Sequence, residues 1–277
     1  MDPLVVLTIA GSDSGGGAGL EADLRTFAAL GVHGAVAVTA VTAQNTREVT
    51  AVLAVEPELV RAQVEAVADD LDLAAVKTGM LARPSTVLEV ARLAGEGRLP
   101  NLVVDPVLVS STGHQLMEPG GVDAYRDALF ARAEVVTPNL REAALLTGTD
   151  VAALGTVAAM TDAARALLGT GARCVVVKGG HLLEGAATEA RAPDVVVTAA
   201  TTATLDGPRV ATRNDHGTGC SLAAAIAVGL AEGRDAVDAV TRGKAFVARA
   251  LETAAGWTLG GGHGPIDHLG WGGSAPS

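Results

Sequence analysis

Short runs rich in Val, Ala and Leu alternate with helical patterns almost throughout the chain, and this rhythm restricts the fold more than any other feature. Strands are expected at 4–10, 35–43, 49–55, 74–77, 102–105, 135–137 and 174–178, and helices at 20–30, 57–70, 85–93, 157–168 and 221–232. Such alternation builds a doubly wound α/β sheet with right-handed crossovers. Residues are 49% hydrophobic but only 2% aromatic, so Ala, Val and Leu must fill the core, as suits a parallel sheet covered by helices on both faces. Two segments break the rhythm. Residues 43–55 and 195–212, the latter with Asp206-Gly207 as its turn, read as antiparallel pairs at a sheet edge. No repeat or linker divides the 277 residues, so one domain over 1–271 is expected, with 272–277 as a frayed tail.

No apolar run approaches the roughly 18 residues that cross a membrane; the longest, 222–231, reads as a buried helix. Asp2 and the absence of a basic residue before the first apolar run give no secretory n-region. Cys174 and Cys220 are too far apart for a CxxC motif; one disulfide is the alternative, and free thiols in a reducing cytosol are the expectation. A net charge of −11 offers no phosphate-neutralising face for nucleic acid. An acidic chain that binds a phosphorylated ligand must gather positive potential locally, from backbone N–H groups, a metal or a few cations.

Two glycine loops can do so. Gly11-Ser-Asp-Ser-Gly-Gly-Gly-Ala-Gly19 follows the first strand and opens a helix, but its spacing fits neither the dinucleotide fingerprint nor a P-loop. It serves as a plain strand-to-helix turn or as a seat for a ligand at the sheet edge. Asn214-Asp-His-Gly-Thr-Gly-Cys220 precedes a small-residue helix, so N–H groups at Gly217, Thr218 and Gly219 face an anion there. Cys220 in that first turn is expected to have its acidity raised by the helix dipole, whereas Cys174 lies in an apolar strand and is core. Gln44, Asp105, Asn139 with Glu142, and Lys178 all fall just beyond strands, and a parallel sheet brings them to one edge. Together they form a phosphoryl-transfer kit. Asp105 and Glu142 suit Mg²⁺, Lys178 the transferring oxygens, the helix start the developing charge, and Cys220 the proton of an attacking hydroxyl.

At this point the chain resembles the hydroxymethylpyrimidine/phosphomethylpyrimidine kinases, the thiamine-pathway branch of the ribokinase-like superfamily. The motifs are Gly11–Gly19 with its flanks, Ala43-Gln-Asn-Thr46, Lys77-Thr-Gly-Met-Leu81, Asp105-Pro-Val107, Thr137-Pro-Asn-Leu-Arg-Glu142, Lys178-Gly-Gly-His181 and His216-Gly-Thr-Gly-Cys220, with Gly262-His-Gly-Pro-Ile-Asp-His268 near the end. The resemblance implies a ribokinase-like homodimer that uses Mg-ATP to phosphorylate 4-amino-5-hydroxymethyl-2-methylpyrimidine and then its monophosphate. It places Gln44 on the pyrimidine, lines the pocket with Gly11, Asp23, Met80 and Val107, and makes Cys220 the counterpart of the sugar kinases' Asp base. Asn139 and Glu142 match an NxxE element that acts on Mg²⁺ beside the phosphates. Three departures stand out: Ser111-Thr112-Gly113 where relatives commonly show Lys-Ser-Gly, Asp215 where Thr is common, and a divergent stretch at 183–204. The nearest rival reading is pyridoxal kinase, against which the Gln44 amide, both donor and acceptor, matches an aminopyrimidine edge. A ribokinase-type sugar kinase and a non-catalytic precursor-binding protein are the remaining readings.

Overall fold

A computed structural model describes residues 2–109, 115–180 and 191–273. Ser111 to Gly113, His181, residues 183–190 of the divergent stretch and the last four residues lie outside these residues. The first half contains β1 (Val5–Gly11), α1 (Gly19–Ala29), β2 (His33–Gln44), β3 (Val49–Ala54), α2 (Pro57–Ala68), β4 (Leu73–Thr78) and α3 (Pro84–Gly95). Next come β5 (Leu102–Val104), α4 (Gly121–Ala124), β6 (Val135–Val136), α5 (Leu140–Thr147) and α6 (Val157–Leu168). The chain continues with β7 (Cys174–Val177), β8 (Asp194–Thr198), β9 (Thr202–Leu205), α7 (Thr218–Ala231) and α8 (Ala236–Ala254).

The strands form one sheet in the order β3-β2-β1-β4-β5-β6-β7-β8-β9. Pairing is parallel from β2 to β7 and antiparallel at both edges. Alternate residues of the central strands feed two cores. Val6, Ala75, Val103, Val135 and Val176 pack with α1, α7 and α8, while Leu7, Val76, Val104, Val136 and Val175 pack with α2, α3, α5 and α6. The chain leaves β1 toward β2 on one side and returns to β4 on the other, so the strand order reverses between β1 and β4. A crevice opens beyond the carboxyl ends of strands at such a reversal. Among the described residues no helix is long and apolar enough to cross a membrane.

Three sequence expectations need correction. The second hairpin turns at residues 199–201, not at Asp206-Gly207, because Thr198 Oγ1 accepts N–H bonds from Ala200 (3.2 Å) and Thr201 (2.9 Å). Asp206 instead pairs with Arg191. The helix expected at 221–232 starts at Thr218. Helix α8, absent from the expected set, buries Ala239, Val240, Gly243, Phe246, Ala250 and Ala254 along one stripe.

Helices α7 and α8 approach closely at Gly229, where a Cβ would lie 2.8 Å from Ala239 Cβ and 3.0 Å from its Cα. Gly229→Val should therefore overpack this seam and cost about 1–3 kcal/mol. Urea unfolding measures that loss directly.

Candidate active site

The crevice is built where two glycine loops meet. Loop 11–19 wraps around the carboxylate of Asp13. Its Oδ1 accepts from Gly15 N (2.8 Å), and its Oδ2 accepts from Gly17 N (3.0 Å) and Ala18 N (2.8 Å). The same Oδ2 lies 2.8 Å from His216 Nε2 in the second loop. Burial tends to raise the Asp13 pKa, but the His216 ring and these N–H groups outweigh it and hold the carboxyl below its usual range. Gly217 caps α7 with a φ of +87°, and a Cβ there would lie 1.9 Å from Gly17 O, so only glycine permits this contact. Gln44 joins the junction. Its Nε2 is 3.2 Å from His216 Nε2, and its backbone exchanges hydrogen bonds with Ser14 Oγ (2.8 and 2.9 Å).

The start of α7 forms the next wall. Gly217 supplies no side-chain cap, and a Cβ on Gly219 would lie 3.2 Å from Lys178 Nζ and 3.8 Å from Asp105 Oδ2. Thr218 N donates only a long bond, 3.3 Å, to Asp215 O. The helix start therefore faces the Lys178–Asp105 pair, whose Nζ and Oδ1 are 2.8 Å apart. Thr137 Oγ1 also donates to Asp105 Oδ1 (3.0 Å). Burial works to lower the pKa of Lys178, yet Asp105 and Glu142 raise it overall.

Asn139 and Glu142 form a reciprocal capping box on α5. Asn139 Oδ1 accepts from Glu142 N at 3.0 Å, and Glu142 Oε2 accepts from Asn139 N at 2.8 Å. The side-chain oxygen of Asn139, expected near phosphate, thus starts a helix here. Burial first, against the pull of Lys178 and with the push of Asp105, lifts Glu142 to about 7. Two carboxylates that repel one another, with oxygen-only chemistry, fit Mg²⁺, which takes one or two protein carboxylates and keeps its waters. No group of three or more His, Cys, Asp or Glu side chains suited to a metal occurs among the described residues.

Of the expected pocket residues, three come together. A Cβ on Gly11 would lie 2.4 Å from Met80 Cε, and Val107 packs with Met80, Ala40 and Ala82. Asp23 does not join them at the surface. It is 0% exposed, with Oδ2 accepting from Thr8 Oγ1 (2.6 Å) and Lys77 Nζ (2.7 Å), while its Oδ1 has no partner among the described residues. Burial raises the Asp23 pKa despite the 0% exposed Lys77 beside it. The expected low pKa of Cys220 is also overturned. Burial pushes the half-buried thiol up to about 11, outweighing the Lys77 ammonium and a hydrogen bond from the Gly19 backbone. Cys174 is buried and pushed up to about 12 by the same cause, as its core position implies. Asp215 faces the C-terminal segment, 2.7 Å from His263 Nδ1.

Sequence reasoning gave no role to Asp13, His216 or Lys77. An Asx side chain entering a glycine run is a recognisable turn anchor. The Lys77–Asp23 pairing spans 54 positions and had no local signal.

Residues 13–267 match the family described as phosphomethylpyrimidine kinase. A hydroxymethylpyrimidine/phosphomethylpyrimidine kinase of Rhizobium meliloti is 49% identical over 96% of this chain and 97% of its own. The pyridoxal kinase of Staphylococcus aureus, solved with AMP-PCP and pyridoxal, superposes with a TM-score of 0.86 at 33% identity, covering 98% of this chain and 95% of its own. A phosphomethylpyrimidine kinase of Clostridium difficile superposes with a TM-score of 0.77 at 35% identity, over 90% and 99%.

Two outcomes test this description. Lys77→Met strands the buried Asp23 and should cost about 3–5 kcal/mol in urea unfolding, with much of that recovered in Lys77→Met/Asp23→Asn. Glu142 has a folded pKa raised above its unfolded value, so the folded state holds the extra proton between roughly pH 4.5 and 7. Stability should fall as pH rises through that window, and Glu142→Gln should flatten the dependence in thermal melts.

Proposed function

The chain belongs to the phosphomethylpyrimidine kinase family, and from that membership we propose that it phosphorylates 4-amino-5-hydroxymethyl-2-methylpyrimidine from ATP and then phosphorylates the monophosphate. The observation that carries this reading is the Gln44–His216 contact at 3.2 Å. It sets an amide able to read a heterocycle's polar edge beside the loop that ends in Cys220. Gly11, Met80 and Val107 offer an apolar bed for the ring.

In this reading the acceptor hydroxyl oxygen attacks the γ-phosphorus, the bond to the β–γ bridging oxygen breaks, and ADP leaves. Cys220 Sγ takes the hydroxyl proton. N–H groups at Gly217, Thr218 and Gly219 hold the transferring oxygens, and Lys178 adds a point charge. Asp105 and Glu142 would hold Mg²⁺, which neutralises phosphate charge when bound. The thiol must ionise before it can accept a proton, and at about 11 it is protonated at neutral pH. The reading extends to one kinase domain over 1–271, acting in the cytosol as a homodimer, as the family resemblance implies. Pyridoxal is a second acceptor to weigh, because the Staphylococcus aureus neighbour was solved with it.

Cys220→Ala should cut turnover by roughly 10²- to 10⁴-fold with pyrimidine affinity little changed. Turnover of the unaltered enzyme should climb as pH rises from 7 to 9, and Cys220→Ala should lose that climb. Near-normal turnover in the variant removes the thiol from the chemistry. Chromatography of single-turnover products decides the acceptor. Monophosphate followed by diphosphate is expected, whereas monophosphate alone, or faster turnover of pyridoxal, would sink the assignment.

A further inference from the structure

A segment far along the chain joins the two ends of this site. After α8, residues 260–264 run as a strap between the β2–β3 turn and the second glycine loop. On one side Gly262 N donates to Thr46 Oγ1 (3.1 Å) and His263 N to Thr46 O (2.8 Å). On the other, Gly264 N donates to Arg213 O (3.1 Å) and His216 N to Gly264 O (3.0 Å). His263 Nδ1 adds its contact with Asp215. The strap is fixed at its root by Asn214, whose Nδ2 donates to Ala254 O (2.8 Å) and Trp257 O (2.9 Å). Beyond it, His268 Nε2 lies 2.8 Å from Ser221 Oγ, on the residue after Cys220.

The fit leaves no slack. A Cβ on Gly262 would lie 2.0 Å from Thr46 O and 2.6 Å from Thr46 C, and one on Gly260 would lie 2.4 Å from Thr46 Oγ1. These neighbours include main-chain atoms, which cannot rotate away. Gly256, just before the strap, has nothing within 4 Å of its Cβ position.

Thr46 lies just past Gln44 on one arm, and His216 lies one turn of loop ahead of Cys220 on the other. We infer that Gly262 and Thr46 are positioning residues: through the strap they set the separation between the ring-reading Gln44 and the phosphoryl-transferring end at Cys220. The inference rests on the acceptor reading given above. A ring held at Gln44 must present its hydroxyl within about 3–3.5 Å of the phosphorus, and a displacement near 1 Å can cost about 10²-fold. Side chains on Gly262 push the turn and the loop apart by such an amount, yet touch neither Lys178 nor the start of α7.

Gly262→Ala is the test, with Gly256→Ala as the control. Turnover of the pyrimidine should fall on the order of 10²-fold, while the KM for ATP stays within about twofold of its unaltered value. ATP consumed per product formed should rise, since water then competes with a misplaced acceptor. Gly256→Ala should match the unaltered enzyme. Unchanged turnover and coupling in Gly262→Ala, or a KM for ATP that rises in step with that for the acceptor, overturns the inference. Should circular dichroism show Gly262→Ala unfolded, Thr46→Val decides, because it removes the hydroxyl acceptor and keeps the shape. Turnover is then expected to drop roughly fivefold with an unchanged melting temperature, and no drop rejects the strap's role. If the unaltered enzyme takes pyridoxal rather than the pyrimidine, the acceptor reading fails by itself, and the same variants measured with pyridoxal still judge the strap.

Discussion

One carboxylate holds the site together. Asp13 accepts three N–H bonds from its own loop and meets His216 of the other, so a glycine run that would otherwise sample many conformations has one shape. Fixing those glycines removes more backbone freedom than fixing any other residues would. The cost is offset by charge-assisted bonds in a half-closed environment, where they are stronger than in water. From this junction the start of α7 is aimed at Lys178, and Gln44 is brought beside the same loop. The sheet reversal between β1 and β4 provides the crevice, but the Asp13–His216 junction gives the crevice its two walls.

Much of the fold was legible because the central strands are short, Val-rich and separated by helical periods. β1, β4, β5 and β7 came out of that pattern within a residue or so at each end. What failed did so for local reasons. Asp206-Gly207 has turn chemistry, but Thr198 closes the hairpin earlier, and the Asp is drawn to Arg191. α8 packs through small residues, which close contact favours, and these are interspersed with charged ones along the sequence. The site was legible as motifs and as a convergence on one sheet edge. Its electrostatics were not. A helix dipole argues for an acidic Cys220, yet burial dominates in the folded chain. The fate of Asp23 depended on Lys77, a partner brought near only by the pairing of β1 with β4.

The acidity of the whole chain sharpens the same point. With a net charge of −11, the protein as a whole repels a triphosphate, so attraction has to be built at short range. In the proposed site that attraction comes from backbone N–H groups and Lys178, which is already matched with Asp105, as the fully buried Lys77 is with Asp23. These pairs hold the lysines protonated where burial alone would favour the neutral amine.

That matching has a consequence for selectivity. Because Lys178 is hydrogen-bonded to Asp105, the cleft carries no standing surplus of positive charge at that point. A bare anion of the size of inorganic phosphate or sulfate must displace a carboxylate before it gains a cation, and it brings nothing to satisfy the carboxylate it displaces. A nucleotide that arrives with its own divalent ion offers both exchanges at once, an oxygen for the lysine and a cation for the aspartate. By that exchange the Lys178–Asp105 pair favours a ligand that carries its counter-charge with it over a bare anion.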